Sequence, residues 1–146
     1  MKNRKLLPLF STLVLLVFTL GLLTGCSSKP AVKVTNNLDQ TIVYLTINSP
    51  DESDWGDNLL LTSVEPGHNV SVTFDKISEE QAGTFDVGIL CENQMNYDTF
   101  EVYLGEGYEI GVASTGNENG DTVILTVTDA NGHQETYEGY VYPNEE

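Results

Sequence analysis

The chain has 146 residues, which is enough for one domain and too few for two well-packed ones. It carries 22 acidic and six basic residues, for a formal net charge of −16. A protein this acidic repels nucleic-acid phosphates, which excludes nucleic-acid partners. It also repels anionic lipid head groups, which excludes flat electrostatic adsorption to a membrane.

The first 25 residues differ sharply from the rest of the chain. Lys2, Arg4 and Lys5 form a basic start, and an uncharged apolar run follows over 6–23. A basic start, an apolar run and a small-residue cleavage site make up a secretory signal, which is removed from the mature protein. We therefore predict a helical signal peptide over residues 1–25, outside the folded domain.

The end of this signal resembles the lipobox of bacterial lipoproteins. Leu23-Thr24-Gly25-Cys26 matches the pattern of an aliphatic residue, a small residue, Gly or Ala, and Cys. The resemblance implies a diacylglyceryl group on the Cys26 sulfur and cleavage between Gly25 and Cys26. Two acyl chains anchor a protein stably, whereas one chain binds only marginally. The predicted partner is thus the cell membrane, with the domain facing outside the cytoplasm.

Two other readings of the same segment remain open. The run 6–23 could be an uncleaved transmembrane helix, although it is short for a span. Ordinary secretory cleavage would release a soluble protein. If Cys26 is lipidated, residues 26–31 form a tether with a reach of roughly 20 Å, which keeps the domain close to the membrane.

The mature chain is patterned for β-structure. Short runs rich in Val, Ile, Thr and Tyr alternate with Gly, Asn, Asp and Pro, as in strands joined by turns. We predict an all-β domain over 32–143, an immunoglobulin-like antiparallel β-sandwich of seven to eight strands, with a small barrel as the alternative. The predicted strands are 32–36, 41–47, 69–74, 84–92, 97–104, 107–113, 121–128 and 133–141.

Cys91 is the second cysteine of the chain and lies in one of these strands. Phe85, Val87, Ile89 and Cys91 alternate along the run and share one face. With Cys26 lipidated, no partner remains for an intrachain disulfide. We therefore predict that Cys91 is a small core residue rather than a reactive thiol.

The segment 49–64 interrupts the strand pattern and is long for a loop in a compact domain. Together with its flanks it resembles a module of secreted and anchored bacterial proteins that has no established activity. The resemblance covers roughly 36–113, implies a β-sandwich outside the cytoplasm and transfers no catalytic residue. It rests on Asn36-Asn37, Ile42 to Ile47, Ser49-Pro50, Asp51 to Asp54, Trp55-Gly56, Asp57-Asn58, Leu59-Leu60, Pro66-Gly67 and Phe85-Asp86-Val87.

Four acidic residues crowd this segment. Calcium prefers several oxygen ligands on one flexible stretch, so a calcium site is one hypothesis, although the spacing does not fit an EF-hand. The candidate ligands are Asp51, Glu52, Asp54 and Asp57. Trp55, in their midst, either packs the segment onto a sheet or forms part of an interaction loop.

A glycan-binding face is a second hypothesis, because flat aromatic rings stack on sugars. Strict alternation would place Tyr97 and Tyr103 on one face of their strand and Phe100 on the other, with Val102 and Leu104. Tyr140 and Tyr142 would share a face of the last strand.

The sequence carries no catalytic signature. His68 and His133 are the only histidines, and both follow turn sequences, so we expect them to be exposed. Nucleophilic catalysis needs a base beside a nucleophile, and no such arrangement is visible. The sequence therefore predicts a membrane-anchored, non-catalytic binding or structural domain with an unknown protein or glycan partner. The alternatives are a calcium- or carbohydrate-binding lipoprotein and a small hydrolase.

Overall fold

A computed structural model describes residues 31–74, 82–117 and 120–144. These ranges contain eight β-strands and no helix, so the predicted all-β class and all eight predicted strands are confirmed. Ala31, which the sequence places in the tether, already belongs to the first strand. The strands are β1 (Ala31–Asn36), β2 (Ile42–Asn48), β3 (Asn69–Thr73), β4 (Gly83–Cys91), β5 (Met95–Leu104), β6 (Glu109–Asn117), β7 (Gly120–Thr128) and β8 (Gln134–Pro143).

The eight strands form one curled, hydrogen-bonded sheet in the order β2-β4-β5-β8-β7-β6-β1-β3. All pairs are antiparallel except β1 and β6, which run parallel over Lys33–Asn36 and Glu109–Val112. The prediction of a purely antiparallel arrangement is therefore wrong at this pair. The pairing of β5 with β8 joins β2-β4-β5 to β8-β7-β6-β1-β3.

One hydrophobic core lies inside the curl. Strands β1 to β7 all contribute buried side chains to it, and β8 contributes the half-buried Tyr137 and Val141. Cys91 is fully buried in this cluster, as predicted. Burial, aided by the charge of Asp39, raises the pKa of its thiol to about 12, so Cys91 stays protonated and unreactive.

Two predicted turns have the expected chemistry. Gly67 adopts a φ of 77° after Pro66, and Gly132 a φ of 84° after Asn131. Asp129 closes the β7–β8 hairpin, because its carboxylate accepts hydrogen bonds from the backbone N–H groups of Asn131 at 2.8 Å and His133 at 2.9 Å. These bonds hold the pKa of the Asp129 carboxyl below its ordinary value.

A β-bulge in β5 overturns part of the predicted alternation. Phe100 and Glu101 together oppose the single residue Asp86, and Glu101 has a φ of 57°. Asp86 stabilises the bulge, since its Oδ1 accepts the Glu101 N–H at 2.9 Å. The extra residue shifts the faces of β5: Tyr97 is 6% exposed in the core, whereas Phe100 and Tyr103 are both on the outer face. The prediction that Tyr97 and Tyr103 share a face is therefore wrong, as is the inward placement of Phe100.

The predicted signal peptide, Gly25, Cys26 and most of the tether lie outside the described residues. So does the stretch 78–81, where the sequence Ser-Glu-Glu-Gln favours a short helical turn. In 31–74, 82–117 and 120–144 we find no helix long and apolar enough to cross a membrane.

Candidate functional site

The segment 49–64 runs along β2, which is an edge strand of the sheet. Three outward-facing side chains of β2 donate hydrogen bonds to backbone carbonyl groups of the 49–64 segment. Tyr44 donates to the carbonyl of Gly56, Thr46 to that of Trp55, and Asn48 to that of Asp54. An uncovered edge would present unpaired backbone groups to other chains. The segment therefore covers this edge while it holds Trp55 over the sheet.

Asn58 completes the cover of the β2 edge. Its side-chain oxygen accepts the N–H groups of Leu45 at 3.1 Å and Leu60 at 3.0 Å, and its amide donates to the carbonyl of Val43 at 3.1 Å. The Leu59 N–H adds a backbone bond to the Leu45 carbonyl at 2.8 Å. These bonds satisfy backbone groups that a β-strand partner would otherwise bind.

Trp55 packs against the outer face of the sheet and remains 38% exposed. The sheet accepts the indole because position 88 of β4 has no side chain. A Cβ built on Gly88 would lie 2.7 Å from Cε3 and Cζ3 of Trp55 and 2.9 Å from the Thr46 methyl group. Trp55 thus fastens the segment to the sheet and leaves part of its indole exposed.

An aromatic row continues from Trp55 across the outer face. The ring centroids of Trp55 and Phe100 are 6.0 Å apart, and those of Phe100 and Tyr140 are 6.2 Å apart. We call these three residues the aromatic row. Tyr140 and Tyr142 share this outer face of β8, as predicted, and both are exposed. Three strands or segments that are distant in sequence therefore build one aromatic surface.

Two depressions flank the row and share Trp55, Asp98 and Tyr142. They measure about 610 Å³, towards Asn96 and Asn144, and about 420 Å³, towards Asn48 and Asp86. We call them together the central groove. Their volumes lie in the range of small-molecule sites. A third depression of about 700 Å³ lies across the 49–64 segment and reaches Phe74, where the described range ends.

Asp98 lies in the floor of the central groove, between Gly88 of β4 and Tyr140 of β8. It is only 5% exposed, and the Tyr142 hydroxyl donates a hydrogen bond to its Oδ2. Burial raises the pKa of the Asp98 carboxyl above its ordinary value; the Tyr142 hydrogen bond opposes this shift, and the nearby charge of Asp86 adds to it. Burial and the bond to Asp98 together raise the pKa of Tyr142 to about 12.

The contact between Gly88 and Trp55 gives a first testable prediction. Gly88→Ala should push the indole off the sheet and lower the free energy of unfolding by about 1–3 kcal/mol, as overpacking does. In a Trp55→Ala background the same change should cost clearly less, because only the clash with Thr46 remains. Urea denaturation of the two single variants and the double variant measures this coupling. An equal cost in both backgrounds would show that the indole does not rest on Gly88.

Asp98 gives a second prediction, in the pH dependence of stability. Its pKa is raised on folding, so the folded state binds the proton more tightly than the unfolded state. The ionised carboxylate therefore opposes folding at neutral pH, and this cost disappears as the pH falls through the folded-state pKa. We expect Asp98→Asn to be more stable than the wild type at neutral pH.

The advantage of Asp98→Asn should shrink as the pH falls from neutral towards the ordinary Asp range. Urea midpoints at several pH values measure it. The exposed Asp57→Asn is the matched control for the loss of one charge from an acidic chain. A wild type more stable than Asp98→Asn at neutral pH would mean that the carboxylate supports the fold.

The four acidic candidates for calcium binding are all exposed on the 49–64 segment. Among the residues that the structure describes, no three or more Asp, Glu, His or Cys side chains lie close enough together to hold a metal ion. The crowding of Asp51, Glu52, Asp54 and Asp57 in sequence is thus not matched by a cluster in space. His68 and His133 are exposed beside turns, as predicted.

No protein family model matches the chain, and neither a curated protein nor a solved structure was found to be similar. The functional argument therefore rests on the geometry of the central groove. The sequence had indicated Trp55 and Tyr142 as candidates, but it gave no sign of Asp98, because one Asp among 22 acidic residues is visible as a site only after folding.

Proposed function

We propose that this chain is a lipid-anchored, extracytoplasmic binding domain without catalytic activity, and that the central groove is its binding site. The observation that carries the proposal is the groove itself: Trp55, Phe100 and Tyr142 expose aromatic surface around a buried polar group, Asp98. Large exposed rings that converge on one depression are more typical of ligand sites than of plain sheet surface.

The anchoring half of the proposal rests on the basic start, the apolar run and the lipobox resemblance at Cys26. The acidic composition supports it as well, because a domain that anionic lipids repel needs a covalent attachment to stay at a membrane. The finer fold assignment, an immunoglobulin-like sandwich of the secreted Ser-Pro/Trp-Gly type, belongs to the same proposal. It is supported by eight short strands whose inner faces share one core.

Trp55 makes the binding half directly testable, because it is the only tryptophan in the chain. Its fluorescence can be followed while four kinds of soluble compound are added: neutral sugars, alkylammonium ions, aromatic alcohols and short peptides. We expect at least one class to give a saturable change. Phe100→Ala should abolish that change, since Phe100 adjoins Trp55 in the aromatic row.

Tyr103→Ala is the matched control for this test. Phe100 and Tyr103 both lie on the outer face of β5 and are 45% and 46% exposed, but Tyr103 packs on Tyr108, away from the groove. Tyr103→Ala should bind as the wild type does. A flat response of Trp55 to all four classes would contradict a binding role for the groove.

A carbohydrate ligand is the second candidate, favoured by the spacing of the aromatic row. Rings 6.0 and 6.2 Å apart form a nearly continuous apolar strip, on which sugar rings could stack. A glycan array read with the wild type and with Phe100→Ala tests it. Signals of equal strength for both proteins would rule out the aromatic row as the sugar site.

A further inference from the structure

The charge of Asp98 has no cationic partner within the described part of the chain. Neither depression of the central groove is lined by a lysine, an arginine or a histidine there. Lys33, the single lysine in the described ranges, pairs with Glu109 on β6 at 3.2 Å. A carboxylate that is 5% exposed and bonded to one hydroxyl is costly to keep ionised. A buried carboxylate that lines a groove and has no cationic partner is a candidate position for the positive charge of a ligand.

The groove carries more negative charge than Asp98 alone. Asp86 and Asp54 also line the smaller depression beside Trp55. The aromatic faces add to this potential, because the face of an aromatic ring is the negative end of its quadrupole. Acidic oxygens and ring faces therefore favour one sign of ligand, a cation, and the rings favour a cation that has an apolar surface.

We propose that the central groove binds a small soluble compound bearing an alkylated ammonium group. The inference rests on the proposed binding role of the groove and names its ligand class. The ammonium nitrogen lies near the Asp98 carboxylate, and its alkyl groups contact the rings of Trp55, Phe100 and Tyr142. An ammonium carrying methyl groups needs few hydrogen-bond acceptors, and it suits a depression in which aromatic rings lie beside the carboxylates of Asp98 and Asp86.

The same charges and rings argue against two related classes of ligand, neutral sugars and phosphate-bearing cholines. A neutral sugar would stack on the rings but leave the charge of Asp98 uncompensated. A phosphate-bearing choline, including a lipid head group, would bring its anion against Asp86 and Asp54, and such like charges repel. The ligand is therefore a cation without an attached anion.

The test uses the protein purified from membranes in a polyoxyethylene detergent, which carries neither an ammonium group nor a sugar. Choline chloride is titrated while the fluorescence of Trp55 is followed, with sodium chloride as the control for ionic strength. We expect saturable submillimolar binding by the wild type. The neutral carbon isostere of choline, dimethylbutanol, should bind about tenfold more weakly or not at all, and phosphocholine should bind more weakly than choline.

Asp98→Asn is the decisive variant, because it keeps the shape of the groove and is expected to fold more stably than the wild type. Its affinity for choline should fall about tenfold or more, whereas its affinity for dimethylbutanol should not change. Asp57→Asn, which removes an equal charge from an exposed site, should keep most of the affinity.

Each contrary outcome has a distinct meaning. Equal binding of choline and dimethylbutanol, or unchanged choline binding by Asp98→Asn, would overturn the ammonium proposal. Binding of a sugar but not of choline would overturn it too and leave the groove as a binding site. If Trp55 responds to none of these compounds, both the ammonium proposal and the binding role of the groove fail.

Discussion

Gly139→Ala is expected to lower the free energy of unfolding by about 3 kcal/mol or more, the largest effect of any alanine substitution at a strand glycine. Gly139 lies in β8, opposite Val123 of β7. A Cβ at this position would collide with the Asp98 carbonyl oxygen and would lie 2.5 Å from Thr99 Oγ1 and 2.7 Å from a methyl group of Val123. These atoms belong to backbone and buried side chains, which cannot move aside in a packed interior.

The collision also lies beside the short pairing between β5 and β8. β5 and β8 pair over only four residues each, Met95–Asp98 with Tyr140–Pro143, and this pairing joins β2-β4-β5 to the other five strands. Gly139→Ala should therefore weaken the pairing of β5 with β8 and widen the floor of the central groove beside Asp98. Urea denaturation measures the loss, and Trp55 fluorescence reports the change at the groove.

Gly111→Ala is the matched control within a strand. The nearest atom to its added Cβ is the end of the Asn37 side chain, at 3.1 Å, and this exposed side chain can shift. Its expected cost is below about 1 kcal/mol. Equal losses for Gly111→Ala and Gly139→Ala would contradict the close approach of β8 to β5.

Asn36→Ala should lower the free energy of unfolding by about 3 kcal/mol, as three hydrogen bonds disappear, two of them buried. Asn36 is fully buried, and its amide nitrogen donates to the carbonyls of Gln40 and Val64, each at 2.8 Å. Its side-chain oxygen accepts the Leu38 N–H at 2.9 Å. Alanine would leave the buried Leu38 N–H without its acceptor, and the carbonyls of Gln40 and Val64 would each lose one donor.

The loss at Asn36 should be concentrated around the turn after β1. Amide hydrogen exchange should accelerate first at Leu38, whose N–H loses its acceptor, before the rest of the core is affected. The exposed Asn69→Ala, on the neighbouring strand β3, is the control and should change stability by less than about 0.5 kcal/mol. A cost at Asn36 no greater than that at Asn69 would mean that the three bonds do not stabilise the fold.

The positions of all eight strands could be predicted because their signals are local. Alternating apolar residues and turn residues such as Asn131 and Gly132 mark each strand and its end within a few positions. The parallel pairing of β1 with β6 could not be predicted, since the paired residues Val34 and Ile110 are 76 positions apart and no local signal encodes such a contact. The core membership of Cys91 followed from alternation within a single strand.

The groove could be predicted only in part, and the bulge in β5 is the physical reason. Strict alternation places Phe100 inward, but the extra residue at Glu101 turns Phe100 to the outer face beside Trp55. A bulge depends on the partner strand, here on the Asp86 carboxylate that holds the Glu101 N–H. Gly88 leaves room for the Trp55 ring, and this role likewise depends on a contact between segments that are distant in sequence.

The proposed cation-binding groove and the predicted short tether together place a binding site close to a membrane. If Cys26 is lipidated, roughly 20 Å of extended chain separates the lipid from β1. The acidic domain, repelled by anionic lipids, should then stand off the bilayer with its outer face in solution. Anionic lipids attract soluble cations, so the concentration of a cationic ligand would be higher near the membrane, where the groove lies, than in bulk solution.

The central claim is that this domain works from a lipid anchor outside the cytoplasm, and intact mass spectrometry of the membrane-fraction protein tests it most directly. The account predicts a mass that fits residues 26–146 plus a diacylglyceryl group, with or without a further acyl chain. A Cys26→Ser version should lose both that mass and its place in the membrane fraction. Masses that fit all 146 residues in both versions, differing only by the exchange of sulfur for oxygen at position 26, would mean that residues 6–23 remain as a membrane helix and would contradict the predicted anchor.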